Sequence, residues 1–157
     1  MICPFIGEAQ NNMLAENHQN KDSLNGPLLS REEKQTLDYI NLMRKDPSAF
    51  YKTYLAAYIK SDKRFTAYYT SSLKKEMLSS SSLTPFTVSA IMKKKADYQA
   101  KDLIQFKGQR LDHTSSNGAT FEQRMKGAGV NCAGENLYTG ENRSSLQMLM
   151  DLLIDEG

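Results

Sequence analysis

The chain has 157 residues, 39% of them apolar, and a formal charge of +2, which is enough for one domain of the roughly 100 to 150 residues that commonly hold a single core. No apolar run approaches the roughly 20 residues of a membrane span. The two cysteines, Cys3 and Cys132, stand far apart and in no CxxC spacing, which excludes a disulfide framework or a cysteine zinc motif.

The low apolar fraction has a local origin, because residues 7–27 and 79–82 are polar and offer little to bury. The folded part is therefore expected to begin near Leu28, giving an N-terminal segment 1–27 and a domain 28–157. Residues 2–6 are apolar and Gly7-Glu8-Ala9 carries small residues two apart, as a signal-peptidase site does, but a charged start and a longer apolar stretch are absent. Two readings of 1–27 stay open: the tail of a secretion signal whose beginning is missing, or an ordinary disordered N-terminus.

Ser30 with Glu33 forms a capping-box pattern, and Asp46-Pro47 ends the helix that it opens. Leu37, Ile40, Asn41 and Arg44 share one face at helical spacing. A buried Asn and Arg must find partners, so both are expected to hydrogen-bond within the fold. Pro47, with Asp46 as cap, opens a second helix carrying Phe50, Tyr51, Tyr54, Leu55 and Tyr58. Residues 61–70 read as a loop, followed by a short amphipathic piece at Leu73, Met77 and Leu78. From Thr87 a longer helix carries Val88, Met92, Ala96, Ala100, Leu103 and Phe106 on one side and ends at Gly108. Its Lys93-Lys94-Lys95 run reads as a solvated face. No aromatic stacking platform or second basic stripe accompanies it, so no nucleic-acid partner is expected. Thr120 with Gln123 repeats the capping box before a short helix ending at Gly127. Residues 130–139 are a loop or short extended segment, and Ser144 caps a last helix with Leu146, Leu149, Met150, Leu153 and Ile154.

Three ionisable residues stand in sharply punctuated motifs. His113 precedes Thr114, Glu135 lies in Gly134-Glu135-Asn136-Leu137, and Glu156 follows Asp155 at the end of the last helix. At about 100° per residue, Asp155 points away from the apolar stripe, whereas Glu156 falls on its edge. An inward Glu156 at a helix C-terminus needs a partner; a frayed end that leaves it solvated is the equal alternative. Asn136 can hydrogen-bond nearby backbone and hold the turn around Glu135.

In their order and spacing, Asn41 with Arg44 and Pro47, the helix with Ala96 and Ala100, His113-Thr114 followed by Gly118 and Arg124, Gly134-Glu135-Asn136-Leu137, and an acid after the next helix resemble the CAP family of cysteine-rich secretory, antigen 5 and pathogenesis-related 1 proteins, or SCP domains. The resemblance spans residues 29–157 and is nearest to the bacterial branch, which lacks the disulfides of the animal members. It implies an α+β fold, a three-layer α-β-α sandwich, of which this chain holds the helical part and lacks most of the central antiparallel sheet. It also implies a cleft lined by two histidines and two acids. His113 matches the first histidine, Glu135 the first glutamate and Glu156 the second, with Asn41, Arg44 and Asn136 as structural support. The second histidine has no counterpart, since His18 lies in the N-terminal segment; a truncated chain is the resulting expectation, with apolar helix faces left exposed and poor stability on its own.

The functional expectation is a secreted, periplasmic or cell-envelope binding module for lipid, sterol, metal or extracellular protein, rather than an enzyme. His113 is a candidate ligand for a divalent metal such as zinc, in a site left incomplete. The alternative is a metal-assisted hydrolase or peptidase using the same cleft.

Overall fold

Helix α1 (Arg31–Lys45) starts where its local chemistry dictates. The Ser30 hydroxyl accepts from the Glu33 N–H at 3.1 Å, and the Glu33 carboxylate accepts from the Ser30 N–H at 2.7 Å, so two N–H groups that a helix start leaves orphaned are satisfied. Asp46 closes α1 and opens the next helix: its N–H reaches the Leu42 carbonyl at 3.2 Å, and its carboxylate accepts from the Ala49 N–H at 2.8 Å. The computed structural model describes residues 28–61, 65, 67–106, 111–128, 134–140 and 142–154. The N-terminal segment with its secretion reading, Cys3, His18, Cys132, Gly108, Asp155 and Glu156 lie outside the described residues.

After α2 (Pro47–Phe50) the same rod passes through a π-helical turn (Tyr51–Leu55) into α3 (Ala56–Ser61). In that turn the Ala56 N–H bonds the Tyr51 carbonyl, five residues back. An α-helix would set residues five apart well round the cylinder from each other, whereas the wider π turn brings them nearly into line. Phe50 and Leu55 are accordingly both inside, at 1% and 0% exposure. With Ile40, Met77, Leu149, Met150 and Ile154 they form the main core, supplied by α1, this rod, α4 (Ala67–Ser79) and α7 (Ser145–Ile154). Tyr39, Phe50 and Tyr54 pack ring to ring within it, with centroids 5.2 to 6.2 Å apart.

Between α4 and α5 (Ala90–Gln105) the chain runs extended along α1. Asn41 donates to the Phe86 carbonyl at 3.0 Å and accepts from the Phe86 N–H at 2.7 Å. Arg44 donates to the Thr84 carbonyl at 2.8 Å and lays its guanidinium 3.7 Å from the Phe86 ring centroid. Helix α5 and the short α6 (Phe121–Lys126) carry a second set of buried side chains, Met92, Gln99, Phe121, Arg124 and Met125.

The α+β sandwich expected from the sequence is overturned. The described residues are 66% helical and contain no strand; Asn136 alone holds a bridge position. Part of the physical reason is visible between α4 and α5, where the carbonyls of Thr84 and Phe86 and the Phe86 N–H are met by side chains of Arg44 and Asn41 rather than by a neighbouring strand's backbone. Ala67–Thr70 is helix rather than loop, and α5 runs only from Ala90 to Gln105, capped by Ser89. Val88 and Phe106 therefore flank α5 rather than ride on it, and Phe106 is exposed. Lys93 is turned away from the solvated face expected for the lysine run, bridging Glu33 at 3.1 Å and Asp97 at 2.6 Å.

Candidate functional site: a buttressed histidine

The loop 111–120 places His113 on a backbone pinned to α5. Gln99, inside the protein, donates to the Asp112 carbonyl at 3.1 Å and accepts the Ser115 hydroxyl at 2.5 Å. Asp102 accepts from both the N–H and the hydroxyl of Ser116, at 2.7 and 2.5 Å; these hydrogen bonds, with the Arg124 charge nearby, hold its carboxyl below the usual carboxylate range. Asp112 accepts from the Thr114 N–H at 2.8 Å, and the loop closes on itself from Ser115 N–H to the Ala119 carbonyl at 2.9 Å. Gly118 takes φ +83°, a conformation that L side chains rarely adopt.

Helix α6 then delivers Arg124. The Thr120–Gln123 capping box, with bonds of 3.3 and 2.9 Å, fixes the start of the helix, and Arg124 shares the inward face with Phe121 and Met125. One guanidinium nitrogen, Nη1, donates to the His113 carbonyl at 2.7 Å, to the Ser115 hydroxyl at 3.2 Å and to the Ala119 carbonyl at 3.2 Å. The other, Nη2, meets both oxygens of Glu135, at 2.7 and 2.5 Å. Arg124 Nε has no partner among the described residues.

Above this buried pair stands His113. Its Nδ1 lies 3.3 Å from Glu135 Oε1, and its side chain is 60% exposed while that of Glu135 is 4% exposed. A carboxylate can only accept, so Nδ1 carries the hydrogen in the neutral ring and Nε2 faces outward as an acceptor. Neither serine of the loop is left for His113 to activate. Ser115 is buried and donates to Gln99, and Ser116 donates to Asp102, so no Ser–His arrangement exists here.

A divalent metal such as zinc does not fit these residues. Both oxygens of Glu135 are taken by Arg124, and a dication there would face a buried guanidinium. Among the described residues no three His, Cys, Asp or Glu side chains gather in a group that could hold a metal, whereas catalytic zinc ordinarily takes three protein ligands.

Of the residues singled out in the sequence, His113 and Glu135 are brought together across 22 positions. Glu156 lies outside the described residues. Asn136 is exposed beside Glu135, and Asn41 and Arg44 serve elsewhere, gripping 83–86. Sequence reasoning missed the clamp itself. Gln99 falls seven residues after Met92, in phase with the apolar stripe, and Arg124 lies between the apolar Phe121 and Met125; polar residues in apolar phase were the available signal.

Comparison of the chain with protein-family models, with curated proteins and with solved structures gives no match. Among the described residues no helix is long and apolar enough to cross a membrane.

Proposed function

We propose that this chain carries a CAP-type binding surface, in a secreted or envelope-associated protein, and that the surface takes a lipid, sterol or extracellular protein ligand rather than performing catalysis. The observation that carries the reading is the exposed His113 imidazole standing on a buried, Arg124-clamped Glu135. A histidine held by a carboxylate, with an outward acceptor and both loop serines engaged elsewhere, is equipped to recognise a donor group and ill equipped to cleave a bond. The order of motifs that resembles the CAP family supports the same reading, because it singles out these two residues as sharing a cleft.

The test is equilibrium binding of the full chain to phosphatidylcholine vesicles with and without sterol, followed by sedimentation. Saturable binding that His113→Ala abolishes and Lys74→Ala spares is the expected result. No saturable binding, together with turnover of a peptide substrate that His113→Ala removes, would establish the rival hydrolase reading. That rival has one observation in its favour: a carboxylate on Nδ1 with Nε2 free is also how a general-base histidine is oriented.

A further inference from the structure

Glu135 lies near the start of a short segment, 134–140, whose other end is held by a different set of side chains. Tyr138 donates from its hydroxyl to Asp151 Oδ2 at 2.8 Å, and Tyr58 donates to the other oxygen, Oδ1, at 2.5 Å. Arg143 Nε stands 3.6 Å from Oδ2. Tyr58 belongs to α3 and packs against the main core, and Asp151 belongs to α7, which supplies Leu149, Met150 and Ile154 to it, so Tyr138 is tied to the helices around that core. Glu135, by contrast, is tied through Arg124 to α6 and the His113 loop.

Gly140 completes the arrangement. A Cβ built there would lie 2.6 Å from the Tyr138 hydroxyl oxygen and 2.7 and 2.8 Å from two carbons of its ring. The φ of Gly140 lies outside the left-handed range, so the requirement for glycine is the close approach of the phenol, which needs the space to reach Asp151. Burial, then the Asp151 hydrogen bond, push the Tyr58 hydroxyl up to about 12, and the same causes raise Tyr138. Both phenols remain donors throughout the neutral range.

We infer that Tyr138, seated over Gly140 and clasped by Asp151 and Tyr58, is a positioning residue that sets Glu135 against His113. Glu135 and Tyr138 are three residues apart, a reach of about 10 Å when fully extended. Fixing one end of so short a strap restricts the other, and the 3.3 Å contact between Glu135 and His113 depends on where the strap lies. The inference rests on the reading of His113 and Glu135 as the ligand-facing pair.

The experiment reads the His113 tautomer by nitrogen NMR of the imidazole in the full chain with no ligand present, with His18 assigned by His18→Gln. The wild-type chain is expected to hold His113 mainly as the Nδ1–H form, and Glu135→Gln to lower that population. Tyr138→Phe, which removes only the hydroxyl, and Gly140→Ala, which displaces the ring, should each shift His113 toward the Nε2–H form while far-ultraviolet circular dichroism stays helical. Either variant, folded and with the wild-type tautomer, would overturn the clasp. Where Tyr138→Phe fails to fold, Gly140→Ala decides, since it deletes no group; a wild-type chain without the Nδ1–H form would overturn the pairing and the clasp together. Vesicle binding is measured separately, so a surface that binds nothing and a clasp that positions nothing are distinct results.

Discussion

Arg124 and Glu135 meet through two hydrogen bonds from one guanidinium nitrogen while each leaves only 4% of its side chain exposed. Burying both charges carries a desolvation penalty, and removing one alone leaves the other uncompensated, at a cost of about 3–5 kcal/mol. Arg124→Met and Glu135→Leu should each destabilise the chain by about that amount, measured by urea unfolding. The double variant should recover part of the loss, giving a coupling term of at least about 1 kcal/mol; strict additivity would show that the pair contributes little.

The π turn makes a second prediction. Leu55 is fully buried at the end of that turn. Leu55→Ala should cost about 2–5 kcal/mol, as deletion of a packed leucine does. Thr53, exposed in the same turn, provides the control: Thr53→Ala should change unfolding by no more than about 0.5 kcal/mol.

Tyr58 contributes to behaviour in alkali. Its hydroxyl is pushed up to about 12 in the folded chain, first by burial and then by Asp151, whereas an unfolded tyrosine ionises near 10. The unfolded state therefore releases its proton first as pH rises, so this contribution to stability is complete below about 10 and lost between there and about 12. Spectrophotometric titration should show a late phenolate phase that Tyr58→Phe reduces, and Tyr58→Phe should flatten the decline of stability over that window. An unchanged late phase would assign it elsewhere.

Ile104 is 79% exposed and Phe106 59% at the end of α5, with Ile91 and Tyr98 each 52% exposed along the helix. Exposed apolar side chains of this kind promote association. Sedimentation velocity at rising concentration should show self-association that Ile104→Lys with Phe106→Ser reduces while helicity is kept. A wild-type chain that stays monomeric across the same range would show these side chains to be tolerated in water.

Helix starts were the most legible part of the sequence, because their chemistry is complete within four residues. Ser30 with Glu33 and Thr120 with Gln123 form the reciprocal bonds their spacing predicts, and Ser144 with Gln147 makes the same pair at 3.2 and 3.0 Å. The π turn was not legible, since Phe50 and Leu55 read equally well as part of an ordinary helical stripe. Glu135 was found through motif order rather than through any local signal, and its partner Arg124 lies 11 residues away with no period linking them. The α+β expectation failed for a related reason. It rested on likeness to a family, whereas Thr84 and Phe86 give backbone groups to side chains of α1, and Glu135 and Tyr138 are held through their own side chains to α6 and α7.

Asn41 offers Phe86 one donor and one acceptor, the same pair that an adjacent strand would present. A helix thus carries one residue's worth of sheet edge, and what Asn41 reads is peptide rather than side chain. The connection between α4 and α5 is consequently free to vary in its outward side chains while keeping its path. What it cannot take is an imino acid at position 86, which would remove the one N–H that Asn41 grips.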